Sequence, residues 1–163
     1  YTPTSNWLKV EVKYAMLDAT AGPLFGGGSE DDKQHSITCW ANMYYVGLGR
    51  QLLSQSTTTG TTYTKTIEAK NGTLTVAGSR TTYSGDLYKS ATMGIFKTRT
   101  RSGWSSDPSA YAKIYTFKLY DNGTLKRDFV AVQSRSSSTV IGLYDKVYNK
   151  LYLNAGSGSF TVG

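Results

Sequence analysis

The residues best suited to binding chemistry lie in a charged loop between positions 97 and 109. This stretch carries Lys97, Arg99, Arg101 and Trp104. An indole offers a flat apolar face for stacking, and a guanidinium can contact an anion through two parallel hydrogen bonds. Loops held by a rigid scaffold carry a large share of binding residues. We therefore predict that Arg99, Arg101 and Trp104 bind a ligand; the alternative is a solvated loop anchored by one Trp.

A second group of aromatic side chains lies in a strand-like region at residues 36–46. Trp40, Tyr44 and Tyr45 are found there. Sugar rings are commonly recognised by aromatic faces together with a few hydrogen-bonding groups. Trp40 and Tyr44 are therefore candidate ligand-binding residues. Packing in the core is the competing interpretation, and it is favoured for Trp40.

Residues for catalysis do not form a recognisable set. His35 is the only histidine, and it follows an acidic stretch. A serine triad needs a histidine that is held by a carboxylate and touches a nucleophile. No serine in this chain has the glycine spacing of a nucleophile elbow. We predict that the protein is not an enzyme.

An acidic segment follows three consecutive glycines and raises the question of a metal. Glu30, Asp31 and Asp32 come directly after Gly26-Gly27-Gly28 and Ser29. Calcium takes six to eight oxygen ligands from a shaped loop, whereas adjacent side chains in a loop diverge. The glycines also lack the lysine of a phosphate-binding loop. We predict a solvated loop and no cofactor, with calcium at Glu30, Asp31 and Asp32 as the weaker alternative.

Composition limits the class of protein. The chain has 163 residues, a formal net charge of +7 and one cysteine, Cys39. This length is that of one ordinary domain, and the single cysteine allows no intramolecular disulfide. The basic residues form no run of five, so nucleic acid is not the predicted partner. A basic surface suits solubility, and it also suits an anionic glycan or cell-wall polymer. The sequence contains no run of 18 apolar residues, so no membrane-spanning helix is predicted.

Alternation and turn signals predict an all-β chain. Residues 7–16 alternate between apolar and charged side chains, as in a half-buried strand. Asn71-Gly72 and Asn122-Gly123 each separate two strand-like segments and predict hairpins, and Asn149 predicts a third turn. Alternation places Tyr115, Phe117 and Leu119 on one face of a strand, and the apolar Ile114 interrupts this pattern. The interruption predicts either a bulge or a strand that is covered on both sides. Many short strands with regular turns indicate an antiparallel sandwich or barrel.

The C-terminal third resembles a signature of laminin-G-like, or concanavalin A-like, jelly-roll domains. The matching segments are Lys113-Ile114-Tyr115, residues 118–125, residues 127–130, residues 142–147 and residues 154–160. Looser similarity extends to residues 4–12 and 23–26. The resemblance implies a jelly-roll sandwich of two antiparallel sheets over residues 1–163. Because the sequence opens at Tyr1-Thr2-Pro3 without a Met, we expect this domain to be excised from a longer chain. Domains of this family occur in bacteriophage tail proteins and in surface proteins of gut bacteria, which implies an extracellular location.

Three functions follow from these observations. The first is a non-catalytic domain that binds a cell-surface glycan on a phage tail or a bacterial surface. The second is an assembly module that joins subunits of a virion or surface fibre. The third and weakest is a glucanase-type hydrolase, because glucanases share the general fold. Glu11, Glu30 and Glu68 are the only glutamates, and none has the Glu-x-Asp-x-x-Glu spacing of those enzymes.

Overall fold

The computed structural model describes residues 1–18, 22–29, 34–40, 42–48, 53–90, 92–98, 110–137, 140–154 and 160. All regular structure in this part of the chain is β-strand. The strands are β1 (Trp7–Met16), β2 (Pro23–Gly26), β3 (Gly28–Ser29), β4 (Gln34–Trp40), β5 (Met43–Leu48), β6 (Leu53–Ser54), β7 (Thr62–Lys70), β8 (Thr73–Val76), β9 (Ser79–Thr82), β10 (Gly94–Ile95), β11 (Ala112–Asp121), β12 (Thr124–Gln133), β13 (Ile141–Asp145) and β14 (Lys150–Tyr152).

The strands form two antiparallel sheets packed as a sandwich. The larger sheet has eight strands in the order β14-β13-β12-β11-β1-β7-β8-β9. The smaller sheet has the order β10-β2-β4-β5-β6, and β3 also pairs with β4. The prediction of an all-β antiparallel sandwich is confirmed, and the arrangement is consistent with a jelly roll. Among the described residues, no helix has the length and apolarity that a membrane crossing requires.

Strand β1 lies at the centre of the larger sheet, between β11 and β7. Its bounds are those that the alternation predicts. Leu8, Val10, Val12 and Tyr14 are at most 1% exposed and face the smaller sheet. Burial of each such side chain stabilises the folded state by about 1.5–3 kcal/mol. The entropy lost when the side chain is ordered offsets part of this gain. The opposite side chains of β1 form part of the outer face of the molecule.

Three asparagines produce the turns that the sequence predicts. Asn71, Asn122 and Asn149 have φ of 50°, 50° and 54°. This is the left-handed region, which Asn tolerates better than other residues with a side chain. The hairpins β7–β8, β11–β12 and β13–β14 close at these positions.

Tyr115 is the bulged residue of β11. Lys13 pairs with Thr116 and Tyr14 pairs with Ile114, so Tyr115 has no partner on β1. The bulge near Ile114 is therefore confirmed. The expectation that Tyr115 shares a face with the buried Phe117 is wrong, because the extra residue turns Tyr115 outward to 39% exposure.

Other strands lie where the sequence gives weak signals. Strand β3 includes Ser29, at the start of the segment predicted as an acidic loop. Strand β9 follows a turn in which Ala77 has a φ of 46° and Gly78 a φ of 91°. The sequence gives no clear signal for this hairpin, because alanine rarely adopts positive φ.

Two aspartates of the C-terminal third, Asp121 and Asp145, are buried and accept hydrogen bonds. Asp121 accepts hydrogen bonds from the Tyr1 hydroxyl at 2.7 Å, from the Thr4 amide at 2.7 Å and from the Ser5 hydroxyl. Asp145 accepts hydrogen bonds from the amides of Asp128 at 3.2 Å and Val147 at 3.0 Å. Both residues therefore have a structural role.

Candidate functional site

The predicted ligand-binding residues of the loop lie outside the described part of the chain, which includes residues 97 and 98 but not 99–109. This applies to Arg99, Arg101 and Trp104, so their role stays a prediction. Glu30, Asp31 and Asp32, the alternative calcium ligands, also lie outside it. Among the described residues, no group of three or more metal-ligating side chains could hold an ion.

The second predicted group is divided between the two faces of the smaller sheet. Tyr44 is fully buried and faces the interior of the sandwich. Trp40 and Tyr45 lie on the outer face and are half-buried. Trp40 pairs with Met43, and the Tyr45 hydroxyl lies 3.6 Å from the Met43 sulfur. Only Trp40 and Tyr45 of this group could touch a ligand without disruption of the core.

His35 has the environment of a packed neutral imidazole. Its ring centroid lies 5.2 Å from that of Tyr45, and its Nδ1 is buried without a hydrogen bond. Burial lowers the pKa of His35 to about 4. The ring is therefore uncharged at neutral pH, and no described carboxylate orients it as the base of a triad would require.

Within the part of the chain that the structure describes, charged and aromatic side chains lie together on the outer face of the larger sheet. We call it the basic aromatic face. It is formed by outward side chains of the three central strands β1, β7 and β11, which pair in register. Its members are Trp7, Lys9, Glu11, Lys13, Thr64, Thr66, Glu68, Lys70, Tyr115, Thr116, Lys118 and Tyr120. From Trp7 to Lys13 it extends about 20 Å, at a strand rise of about 3.4 Å per residue.

Trp7 is held at one end of this face by three contacts. Its indole Nε1 donates a hydrogen bond to Glu68 Oε1 at 2.7 Å. The Lys70 ammonium lies 3.5 Å from the centre of the ring. The ring edge packs over Gly123, where a Cβ atom would lie 3.1 Å from the Trp7 Cη2 atom. The indole therefore holds the Lys70 charge at the surface through a cation–π contact.

Lys9, Glu11 and Tyr120 form a closed set in the middle of the face. Lys9 Nζ donates to Glu11 Oε1 at 2.8 Å and lies 4.0 Å from the centre of the Tyr120 ring. The Tyr120 hydroxyl donates to Glu11 Oε2 at 3.1 Å. The hydrogen bond from Lys9 lowers the pKa of Glu11. Glu11 therefore stays ionised at neutral pH, which suits a structural acceptor and not a proton donor.

Lys13 lies at the other end of the face and has no ion pair among the described residues. It lies between Thr64 on β7 and Thr116 on β11. Its ammonium is 5.6 Å from the centre of the ring of Tyr115, the bulged residue. An ammonium beside two hydroxyl-bearing residues and an exposed ring offers donors to an anion and an apolar surface next to it.

The face can hold a ligand that carries negative charges and hydroxyl groups. Lys13 and Lys70 are exposed, and Lys118 is half-buried opposite Glu11 on β1 and Asp128 on β12. Lys9 is paired with Glu11. The sequence showed the charged side of β1 but gave no information on the neighbours of that strand. The cation–aromatic pairs join β1 to β7 and β11, which are distant in sequence, so periodicity could not find them.

No family model, no curated protein and no solved structure matches this chain. Function is therefore inferred from the geometry and residue chemistry of the described part of the chain.

Proposed function

We propose that the protein is a non-catalytic domain that binds an acidic cell-surface glycan through the basic aromatic face. The observation that carries this proposal is the row of three lysines held over aromatic rings, with Lys70 on Trp7, Lys9 on Tyr120 and Lys13 on Tyr115. The resemblance to laminin-G-like jelly rolls supports display on a phage tail or a bacterial surface, outside the cell.

Electrostatics favours an acidic glycan over a neutral one. An exposed ion pair contributes about 0.2–1 kcal/mol, so several spaced contacts are needed for useful affinity. A polymer with repeated carboxylate, sulfate or phosphate groups supplies such contacts along the length of the face. The threonine hydroxyls on β7 and β11 add hydrogen-bonding groups beside the lysines.

A glycan array at physiological salt tests the proposal. We expect the wild-type protein to bind acidic glycans and to leave neutral glycans of the same length unbound. The variant Lys13→Gln/Lys118→Gln should lose most of this binding, because two cations that project from the face are removed. Each lost lysine should weaken binding up to about fivefold, which corresponds to about 1 kcal/mol.

Two control variants separate this face from other surfaces. Lys150→Gln removes a lysine that also lies over a tyrosine, 5.2 Å from the centre of the Tyr152 ring, but on β14. It should bind as the wild type does. Trp104→Ala tests the loop that the sequence predicts. Loss of binding in Trp104→Ala alone, with Lys13→Gln/Lys118→Gln unaffected, would move the site to that loop.

A second function, assembly with other subunits, is favoured by exposed apolar residues near the edge strand β14. Leu151 and Leu153 are 42% and 56% exposed, and Tyr148 in the preceding turn is 56% exposed. Large apolar surface of this kind often marks a protein interface. Light scattering distinguishes the two proposals. A stable oligomer that Leu151→Lys/Leu153→Lys converts to monomer would support the assembly function.

A further inference from the structure

A group of polar side chains lies inside the sandwich, away from the basic aromatic face. Lys65 points inward from β7 and is 5% exposed, and Tyr14, Cys39 and Tyr44 are fully buried. The Lys65 ammonium lies 5.6 Å from the centre of the Tyr44 ring and 5.2 Å from that of Tyr63. Both sheets contribute, because Tyr14 and Lys65 belong to the larger sheet and Cys39 and Tyr44 to the smaller one.

Three polar atoms of this group lack hydrogen-bond partners. They are Lys65 Nζ, Tyr14 Oη and Tyr44 Oη. The hydroxyls of Tyr14 and Tyr44 lie close enough for side-chain hydrogen bonding to affect the pKa of each, and the Cys39 thiol affects the pKa of Tyr44 in the same way. Neither hydroxyl, however, has the distance and angle of a formed hydrogen bond. Buried polar groups in folded proteins are nearly always hydrogen-bonded, so three unpaired groups at one place need a common explanation.

The unpaired groups share one property, which is that each can donate a hydrogen bond. An ammonium has three donors and no acceptor, and each hydroxyl has one donor. No described carboxylate forms an ion pair with Lys65. Burial lowers the pKa of the Lys65 amine, which reflects the cost of an uncompensated cation in this interior. A small anion beside Nζ would compensate that charge and accept from the hydroxyls.

We propose that Lys65, Tyr14 and Tyr44 form a binding site for a chloride-sized monovalent anion inside the sandwich. The site joins the two sheets through a common ligand, so the anion stabilises the fold. Its occupancy is independent of the glycan proposal. A larger oxyanion is not the expected ligand, because the surrounding side chains are fully buried and belong to the packed core.

Equilibrium unfolding in sodium chloride and in sodium gluconate at equal ionic strength tests the site. The chloride-sized anion binds the folded state only, so stability should rise with chloride and not with gluconate. Above the dissociation constant, a tenfold increase in chloride should lower the unfolding constant about tenfold. Absence of any difference between the two salts would overturn the proposal.

Two variants assign the effect to Lys65. Lys65→Met should abolish the chloride dependence, whereas Lys70→Met, on the same strand but exposed, should retain it. Equal chloride dependence in all three proteins would contradict the site. Crystals of the wild-type protein grown in bromide provide a second measurement that does not depend on the folding of a variant. An anomalous peak among Lys65, Tyr14 and Tyr44 supports the proposal, and its absence there opposes it.

Discussion

Asp121 is a single residue on which several distant contacts converge. It is 1% exposed and accepts hydrogen bonds from Tyr1, Thr4 and Ser5. Burial alone would raise the pKa of Asp121, but the hydrogen bonds from Ser5, Tyr1 and Thr4 outweigh burial and lower it below 3.8. The carboxylate is therefore held ionised by groups on residues 1–5, which lie far from it in sequence.

We expect Asp121→Asn to lower the free energy of unfolding by about 2 kcal/mol, because a charged acceptor of several hydrogen bonds is lost. The lowered pKa adds a pH signature. The contribution of Asp121 is complete above pH 3.8 and is lost as the pH falls from there through the folded-state pKa. Urea unfolding at a series of pH values measures both effects. A variant that retained the same acid sensitivity as the wild type would contradict this role.

Glycine is required at position 123 for two reasons, its backbone conformation and its contact with the Trp7 ring. Its φ is 76°, and an added Cβ would lie 3.1 Å from the Trp7 ring. Gly123→Ala should therefore cost about 1–2 kcal/mol for positive φ and also displace the indole. Gly78→Ala is the matched control, because Gly78 has a φ of 91° with nothing near its Cβ position. Urea unfolding and the Trp7 indole NH resonance measure the two effects, and equal losses with an unchanged resonance would refute the contact.

At the scale of elements, the hairpin β13–β14 depends on Asp145. One carboxylate oxygen accepts from the amides of Asp128 and Val147. The other makes an ionic contact with Arg127 Nε at 3.5 Å without a hydrogen bond. Arg127 lies in turn 4.2 Å from the centre of the Tyr148 ring. The turn of this hairpin is thus attached to β12 through one buried side chain.

Asp145→Ala should destabilise the protein by about 3 kcal/mol, because it leaves a half-buried arginine without its anion. Amide exchange at Leu143 and Val147 should accelerate more than exchange in β1, since the hairpin opens locally. Asp86→Ala is the control, because the Asp86 side chain is 68% exposed and its ion pair with Lys89 spans 3.7 Å. Uniform acceleration across both sheets would show that Asp145 does not act locally.

The elements differ in how far the sequence predicted them. Strong alternation fixed the bounds of β1, and Asn-Gly pairs located two hairpins because few other residues accept positive φ. Residue preferences and alternation did not fully predict the structure at two places where the backbone departs from the usual pattern. Ala77 turns with positive φ, and the bulge places the Tyr115 side chain on the outer face, opposite to Phe117. The broken alternation at Ile114 indicates a bulge, but which residue is unpaired is known only from the register with the partner strand.

At the scale of the whole molecule, the site depends on strand order. β1 is flanked by a strand from residues 62–70 and by another from residues 112–121. Lys13 and Lys118 are therefore neighbours on one face, although more than a hundred positions separate them. The sequence predicts an excess of basic residues and places candidate contacts at Arg99, Arg101, Trp104, Trp40 and Tyr44. The first three lie outside the described residues and stay predictions. Non-local pairing of strands, which carries no local signature, assembles the basic aromatic face.

The lysines of the larger sheet fall into two groups, one inside the sandwich and one on its outer face. Lys65 lies inside the sandwich, while Lys13, Lys70 and Lys118 project from the outer face of the same sheet. Net charge alone does not distinguish them. Salt should weaken glycan binding, because exposed charges are screened over about 8 Å at physiological ionic strength. The interior anion site should instead gain occupancy as chloride rises.

An NMR titration of the wild-type protein with oligogalacturonate at low ionic strength tests glycan binding at the basic aromatic face most directly. Neutral malto-oligosaccharide of equal length is the control. The proposed function predicts that amide shifts change mainly in β1, β7 and β11, with the largest effects near Lys13, Lys118 and Lys70, and that the neutral sugar changes nothing. Shifts confined to residues 99–104 or to β13–β14, or no shift at all, would contradict binding at the basic aromatic face.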